Sequence, residues 1–211
     1  MTSPTPPAEP SYADRTYRSG GGLVTGALLI LLVGWVGVDA AVRGEGWVPW
    51  IALAALLTVI PLIVAFTLRP AVYANEERIR VRNPFRTIEL PWTDVADVRA
   101  SYTSELFAQD GTKYQLWAVP VSLRERKKAA RKASRASQDD PFGRTSVHAD
   151  VRDTQARVAA ADRTVNELRE LKERGADPEQ SATSASVRWS YEVLAPVGVG
   201  AVLLVVLLAI G

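Results

Sequence analysis

Three long apolar runs dominate the pattern of hydrophobic and polar positions along the chain. They cover Leu23–Val42, Trp47–Leu68 and Val193–Ile210, and Asp39, near the end of the first run, is the single ionisable residue in them. At about 1.5 Å per residue, runs of this length match a hydrocarbon core of about 30 Å. A helix on the surface of a soluble protein would interrupt them with a polar stripe. The pattern therefore predicts three transmembrane helices.

Only Arg43–Gly46 separate the first two runs, which predicts a transmembrane helical hairpin. The alternative is a cleavable signal peptide formed by the first run. Its n-region would have to be Met1–Gly22, which is long, rich in proline and contains Glu9 and Asp14. The hairpin explains both runs together and is favoured. Because residues 1–22 contain four prolines and end in a run of glycines, they are expected to be a disordered tail.

The arginines near the ends of the runs predict the orientation in the membrane. Two arginines precede the first run, Arg43 alone lies between the first two, and four lie between residues 69 and 82. Flanks rich in Lys and Arg remain in the cytoplasm. We therefore expect a multi-pass protein of the cell membrane, with the N-terminus and residues 69–190 cytoplasmic and the C-terminus extracytoplasmic. Asp39 and Arg43 are four residues apart and are expected to pair along one helix face.

Between Ala71 and Val119 the apolar positions alternate with a period of two, which is typical of strands. The alternation predicts that Ile79, Val81, Ile88 and Leu90 point inward. The Asp110-Gly111 pair predicts a type I′ hairpin turn, because this turn needs positive φ. Five to seven short antiparallel strands must curl or be covered by a helix. The predicted strands include Arg78–Arg82, Thr87–Leu90, Val95–Tyr102 and Lys113–Val119.

After Pro120 the pattern becomes helical. Ser122 and Glu125 form a capping box at the start of a helix that carries seven basic residues and one acidic residue. A second helix is predicted from about Ser146 to Arg174, ended by Gly175. Val151, Val158 and Val165, with Thr154, Ala161 and Leu168 between them, follow a seven-residue repeat, but Thr and Ala occupy two of these six positions. This favours packing on the strands or on the basic helix over an independent coiled coil.

The amino-acid composition excludes several kinds of catalytic and metal-binding site. The chain contains 25 Lys and Arg against 23 Asp and Glu, a net charge of +2, and most of these residues lie between 69 and 192. It has no Cys, which excludes disulfides and cysteine nucleophiles, and one His, which excludes a His-rich metal centre. Its one glycine run, Gly20–Gly22, lacks the Lys and Ser or Thr of a phosphate-binding loop. The chain is therefore expected to be no enzyme and to need no cofactor or metal.

The region from Leu68 to Val119 resembles the bacterial pleckstrin-homology-like (PH) membrane proteins of actinobacteria. The resemblance lies in Leu68-Arg69-Pro70, Arg80-Val81-Arg82-Asn83-Pro84, Leu90-Pro91-Trp92 with Asp94-Val95, and the Asp110-Gly111 hairpin with Tyr114, Leu116 and Trp117. It implies a half-open barrel of strands closed by a helix, and it implies no catalytic or ligand residues. The minimal family pattern contains neither residues 121–174 nor the third apolar run. The resemblance therefore does not identify which helix closes the barrel. Trp92 is expected to pack the barrel end, and Asp94 to cap the following turn.

The predicted fold class is an α+β membrane protein. It has two N-terminal transmembrane helices, a small PH-like antiparallel β half-barrel with a helical C-terminal extension, and one C-terminal transmembrane helix. The expected domains are a disordered tail (1–22), a transmembrane hairpin (23–68), a PH-like β domain (69–120), a charged helical extension (121–174), a linker (175–190) and a C-terminal transmembrane helix (191–211).

Two groups of basic residues are candidate contacts for anionic lipid or for a partner. Basic residues beside an anionic leaflet gain favourable electrostatic energy. The alternative for both groups is that their side chains are exposed to solvent and bind no ligand. Nucleic acid is disfavoured, because no aromatic residues are interleaved and no binding motif is present. The first group is Arg124, Arg126, Lys127, Lys128, Arg131, Lys132 and Arg135; the second is Arg78, Arg80 and Arg82, with Arg86 beside them.

These patterns predict a membrane-anchored PH-like protein that acts as a scaffold or adaptor at the cytoplasmic face. Its expected partners are the membrane, an unidentified protein and anionic phospholipid. The alternative is an accessory subunit of a membrane transport or envelope-assembly complex. Spans without ionisable residues in their interior argue against a self-sufficient pore.

Overall fold

The computed structural model describes residues 14–121, 160–175 and 184–210. Its helices include two long ones that precede the domain, one that packs on it and one that follows it. The helices are α1 (Gly20–Arg43), α2 (Val48–Ile63), α3 (Ala160–Gly175) and α4 (Tyr191–Ile210). The strands are β1 (Arg15–Tyr17), β2 (Ala71–Ala74), β3 (Arg78–Arg82), β4 (Arg86–Pro91), β5 (Val95–Ala100), β6 (Ser104–Ala108), β7 (Lys113–Gln115) and β8 (Ser186–Trp189).

Three helices are long and apolar enough to cross a membrane, as the apolar runs predict. They are α1, α4, and α2 together with a π-helical turn at Val64–Leu68 that continues it. α2 packs against both α1 and α4. At the end of α1, Arg43 Nε lies 2.9 Å from Asp39 Oδ1, which confirms the predicted i,i+4 pair.

A five-stranded antiparallel sheet has the strand order β1-β2-β3-β4-β8. Strands β2, β3 and β4 follow α2 in the chain, whereas β1 precedes α1 and β8 precedes α4. The two edge strands of this sheet correct the predicted domain limits. Residues 15–17 of the expected disordered tail form β1, and residues 186–189 of the expected linker form β8. Each pairs with a strand that would otherwise present unpaired backbone groups, β1 with β2 and β8 with β4.

A second, three-stranded antiparallel sheet has the order β5-β6-β7. The hairpin between β6 and β7 forms where Asp110-Gly111 predicts it, but the type I′ prediction is wrong. Gly111 has φ +83°, whereas Asp110 has negative φ, and Gly111 N donates to Ala108 O over 3.1 Å. This is a type I turn followed by a left-handed glycine, which needs positive φ at one residue only.

Both sheets and α3 enclose one hydrophobic core, which confirms the expected half-barrel closed by a helix. Ala161, Val165 and Leu168, positions of the predicted heptad stripe, are buried, and α3 packs on β5 and on the 3₁₀ turn Trp92–Asp94. The compact unit therefore extends beyond the predicted boundary at residue 120. The predicted helix 121–135 and the start of the second helix, 146–159, lie outside the described residues.

Trp92 closes the end of the barrel as predicted, with no exposed surface. Its Nε1 donates to Asn75 O over 2.7 Å, which satisfies the indole N–H inside the core. Gly175, the last residue of α3, is so close to Trp92 and to the Glu76 carbonyl that a Cβ would collide with both. The expected capping role of Asp94 is wrong: Asp94 is the third residue of the 3₁₀ turn, and Pro91 is its N-cap.

Polar side chains of α3 bind the free edge of the second sheet. Arg169 Nε donates to Val98 O over 2.7 Å, and Lys172 Nζ donates to Ala96 O. Asp97 accepts from Arg99 and lies 3.3 Å from Arg169 Nε. Burial raises the pKa of Asp97, but the hydrogen bonds from Arg99 and the Val98 N–H, with the charges of both arginines, outweigh it and lower the pKa below its usual 3.8.

Tyr17 connects the opposite side of α3 to the first sheet, since its hydroxyl donates to Glu167 Oε2 over 3.0 Å. Burial, followed by this hydrogen bond, raises the pKa of Tyr17 from 10.0 to about 12. The tail residue Tyr17 is thus an integral part of the domain.

Candidate functional site: a basic groove beside the membrane helices

A groove with a volume of 430 Å³ lies between the outer face of the first sheet and the start of α4. We call it the basic groove. Four arginines line it, together with hydroxyl side chains and two carboxylates. These residues are Arg69, Arg80, Arg82, Arg188, Thr87, Ser186, Ser190, Glu89 and Glu192, with Trp189 beside them.

The strand register brings these residues together. In one row across the sheet, Arg82 lies opposite Thr87, and Thr87 lies opposite Arg188. In the adjacent row, Arg80 lies opposite Glu89, and Glu89 opposite Ser186. Because side chains alternate between the two faces of a strand, both rows project from the face opposite the core.

Arg69 is the centre of the groove wall next to α2 and α4. It follows the π-helical turn directly and is only 9% exposed. Its guanidinium donates to Ser190 Oγ, to Thr87 Oγ1 over 3.4 Å and to Asn83 O over 3.3 Å. It also lies 2.8 Å from Glu192 Oε1. One side chain thus joins the exit of the second membrane helix, the sheet and the start of α4.

The two carboxylates neutralise only part of the positive charge. Glu89 pairs with Arg78 and with Arg80 Nε, the latter at 3.2 Å, while Glu192 pairs with Arg69. Within residues 14–121, 160–175 and 184–210, neither Arg82 nor Arg188 forms a salt bridge. The groove therefore keeps an excess of positive charge.

Arg82 and Arg18, the residue after β1, both contact the hydroxyl of Tyr73. The Tyr73 hydroxyl accepts from Arg18 Nη2 over 2.8 Å and from Arg82 Nη1 over 3.5 Å. Burial raises the pKa of Tyr73, but the hydrogen bonds from these two arginines, with their charges, outweigh it and lower the pKa below its usual 10.0. Two guanidinium groups held at one phenol extend the positive surface toward β1.

The structure brings some of the basic residues predicted from the sequence into the basic groove and places others elsewhere. Arg80 and Arg82 line the basic groove, and Arg78 lies beside it, paired to Glu89. Arg86 does not join them, because it lies on the same face of β4 as the buried Ile88, and its guanidinium lies 5.8 Å from the Tyr114 ring centroid. The seven basic residues between 124 and 135 lie outside the described residues.

The sequence reasoning missed several members of the groove. The sequence analysis uses Arg69 only as a flanking positive charge and as part of the Leu68-Arg69-Pro70 motif, and it does not single out Arg188, Thr87, Ser190 or Glu192. The available signal is position: Arg69 and Ser190 immediately flank two helices that are long and apolar enough to cross a membrane. In the described part of the chain, no three His, Cys, Asp or Glu side chains are grouped to hold a metal ion.

Comparison with known proteins gives one match. A family model described as "Bacterial PH domain" matches residues 69–177, slightly more than half of the chain. No curated protein and no solved structure matches the chain. The matched region begins at Arg69 and includes β2–β7 and α3, whereas the edge strands β1 and β8 lie outside it.

Proposed function

Since this chain belongs to the bacterial PH domain family, we propose that it is a membrane-anchored, non-enzymatic scaffold or adaptor that presents a binding surface at the cytoplasmic face. PH domains are generally non-catalytic modules that bind lipids or proteins. In this proposal, the basic groove is the surface of the domain that binds the partner. The seven basic residues of 124–135 add a second contact with anionic lipid.

The observation that carries the proposal is the way Arg69 joins the domain to two membrane helices. A domain on a long flexible linker samples many orientations, whereas Arg69 contacts Thr87 of the sheet and Glu192 of α4 simultaneously. This arrangement supports a domain held in one orientation, with the basic groove open to its surroundings. A fixed orientation favours an adaptor, because less entropy is lost when a partner binds.

Chemical crosslinking of the full chain in its native membranes tests the adaptor role. The expected result is a discrete protein adduct that is lost when Arg82 and Arg188 are both changed to Gln, since neither of these groove arginines forms a salt bridge with a described residue. The matched control is Arg163→Gln with Arg174→Gln, which removes two exposed arginines of α3 outside the groove. Adducts that are equally abundant in both double variants would contradict the groove as the partner surface. Adducts formed only with integral transport proteins would favour the accessory-subunit alternative.

The orientation is tested separately, because the native chain lacks cysteine. Single substitutions Glu45→Cys, between α1 and α2, and Tyr102→Cys, at an 83% exposed position of the domain, are labelled in intact cells with a membrane-impermeant maleimide. We expect labelling of Glu45→Cys alone before lysis and of both after lysis. Labelling of Tyr102→Cys in intact cells would overturn the cytoplasmic assignment.

A further inference from the structure

We propose that an extended segment of the partner protein pairs with the free edge of β8 as a further strand of the first sheet, and that this segment carries an acidic residue between two apolar ones. This inference rests on the proposed function and names the chemistry of its partner. The backbone of β8, its exposed apolar side chains and the charges on its two faces carry it. β8 lies outside residues 69–177, which match the family model.

β8 presents unpaired backbone groups at its outer edge. Ser190 N donates to Phe85 O over 2.8 Å, so two residues earlier in this antiparallel ladder Arg188 also exchanges its hydrogen bonds with β4. The N–H and C=O groups of Val187 and Trp189, which alternate with Arg188, therefore point away from β4. In the described part of the chain no hydrogen bond reaches the backbone of Val187 or Trp189. Such an edge is a template for another strand.

Two edges of the second sheet are bound by side chains instead. Carbonyl groups of β5 accept from Arg169 and Lys172 of α3. In β7, Gln115 O accepts from Asn83 Nδ2 over 2.9 Å. β8 has no comparable cover among the described residues, so its edge is available to a segment from outside.

The inner face of β8 is apolar and incompletely covered. Val187 lies opposite the buried Ile88, so Val187 and Trp189 are on the core face of the sheet, yet they are 46% and 56% exposed. A cleft with a volume of 290 Å³ opens beside Val187. Its apolar lining consists of Leu90, Ala108, Tyr114, Ala185 and Val187. Apolar side chains of an added strand would cover Val187 and Trp189 and enter this cleft, which favours apolar residues at alternate positions of the segment.

The charges on the two faces of β8 fix the register of the segment. On the outer face, Arg188 is exposed and forms no salt bridge with a described residue, so a carboxylate opposite it on the added strand would form a cross-strand pair. On the inner face, the cleft is lined by Asp94 and Asp110, which repel a further carboxylate. A slip of one residue would move the acidic side chain from Arg188 to this acidic cleft. The acidic residue therefore belongs between the two apolar ones.

The same charges disfavour a second copy of this chain as the occupant. If the free edges of two β8 strands paired antiparallel with full overlap, Val187 of each copy would lie opposite Trp189 of the other. The Arg188 side chains of the two copies would then lie directly opposite each other, and like charges in this arrangement are destabilising. A segment with an acidic residue at that position fits the edge better.

The test selects random peptides displayed on phage against the full chain in nanodiscs of phosphatidylcholine. We expect the enriched peptides to share an acidic residue between two apolar ones. Arg188→Gln should weaken the binding of a synthetic copy of one such peptide by about tenfold or more, since a hydrogen bond between charged groups contributes at least that factor. The control Arg163→Gln, which removes the same charge from an exposed position of α3, should leave binding unchanged.

Two further measurements address the strand pairing itself. Val187→Pro removes an N–H from the free edge and should abolish peptide binding, whereas Val187→Ala keeps this N–H and should retain most of it. Peptide binding to the unmodified chain should slow the amide hydrogen exchange of Val187 and Trp189. Exchange at Arg188, whose amide already faces β4, should not change. Protection of Arg188 in the proline variant shows that β8 remains paired with β4.

Several outcomes would overturn the proposal. Enriched peptides that lack the acidic residue, or that leave exchange at Val187 and Trp189 unchanged, would exclude this mode of binding. A higher yield of disulfide-linked dimers for Val187→Cys than for Tyr102→Cys would identify a second copy as the occupant. If the crosslinked adduct depends on the groove arginines but no peptide protects β8, the adaptor function stands and strand pairing fails. If a peptide protects β8 but native membranes give no adduct, strand pairing stands and the adaptor function fails.

Discussion

The two sheets of the domain are stabilised by different kinds of contact. The first sheet, β1-β2-β3-β4-β8, carries a charged outer face and is joined to the membrane helices by Arg69. The second sheet, β5-β6-β7, is covered by α3 through buried apolar side chains such as Val165 and Leu168. The inner faces of both sheets share one core, but the outer face of the first sheet, which we propose to be the binding face, is joined to α2 and α4 by polar groups, whereas the second sheet is covered by α3.

This difference separates stability from function. Apolar burial is non-directional and tolerates small shifts, so it suits the part of the domain that only needs to stay folded. Hydrogen bonds and ion pairs depend on distance and angle, so they fix the orientation of a surface that must meet a ligand. Mutations in the core beside the second sheet should therefore lower the free energy of global unfolding. Mutations of the polar contacts of the first sheet should change its local geometry.

The largest expected effect is in the core beside the second sheet. Trp92→Ala removes a fully buried indole and its hydrogen bond to Asn75 O, and should lower the free energy of unfolding by about 3–5 kcal/mol. Urea titration of the full chain in detergent, followed by near-UV circular dichroism, measures it. The control Tyr102→Ala, at an 83% exposed position, should change stability by less than about 0.5 kcal/mol. Equal losses in the two variants would contradict the assigned core.

A second, local effect is expected at the first sheet. Arg69→Met removes the hydrogen bonds to Ser190 and Thr87, with an expected cost of about 1–3 kcal/mol that is confined to the junction with α4. Hydrogen exchange should increase in β8 and at the start of α4 while β5 and β6 stay protected. Arg43→Met, which breaks an exposed pair at the other end of the membrane helices, is the control and should leave this junction unchanged. Uniform loss of protection would show that Arg69 stabilises the whole domain.

Gly175→Ala tests the contact between α3 and the barrel end. The added Cβ would collide with Trp92 and the Glu76 carbonyl, and overpacking of this kind costs about 1–3 kcal/mol. Thermal unfolding should therefore begin at a lower temperature. Gly34→Ala is the matched control, since its Cβ would meet no atom within 4 Å. Unchanged stability of Gly175→Ala would mean that α3 can move away from Trp92 without loss.

The smallest expected effect concerns pH. Because the pKa of Asp97 is lower in the folded chain than its usual 3.8, the ionised carboxylate stabilises the fold above about pH 4, and this contribution is lost as pH falls through the folded pKa. Asp97→Asn should therefore lower stability modestly at neutral pH and flatten the acid side of the stability profile. Glu170→Gln, at an exposed position of α3, should leave the profile unchanged. Parallel acid profiles of Asp97→Asn and the unmodified chain would refute this role.

The apolar core could be predicted from the sequence, whereas the long-range polar contacts could not. Burial of Ile79, Val81 and the apolar stripe of α3 repeats along the chain with the period of a strand or helix, so the sequence predicts it. The contact between Arg69 and Ser190 joins residues 121 positions apart and leaves no periodic signal. The strands β1 and β8 were missed for a related reason, since pairing with a sheet edge, not local pattern, determines them.

The basic groove was only partly predictable. Alternation correctly puts Arg80 and Arg82 on one face of β3, but Arg86 obeys the same rule in β4 and falls on the opposite face, with Ile88. The neutralisation of Arg78 and Arg80 by Glu89 depends on the register of β3 against β4, which a single sequence does not reveal.

The π-helical turn at the end of α2 controls the rotation of everything that follows it. Arg69 N donates to Val64 O over 2.9 Å, five residues back, so the turn accommodates one more residue than an α-helix would. Removing one residue of Val64–Leu68 would restore α-helical spacing and rotate the rest of the chain by about 100° around the helix axis. Arg69 would then point away from Ser190, and a different side of the domain would face the third membrane helix. The length of a single helical turn thus sets which side of the domain faces α4.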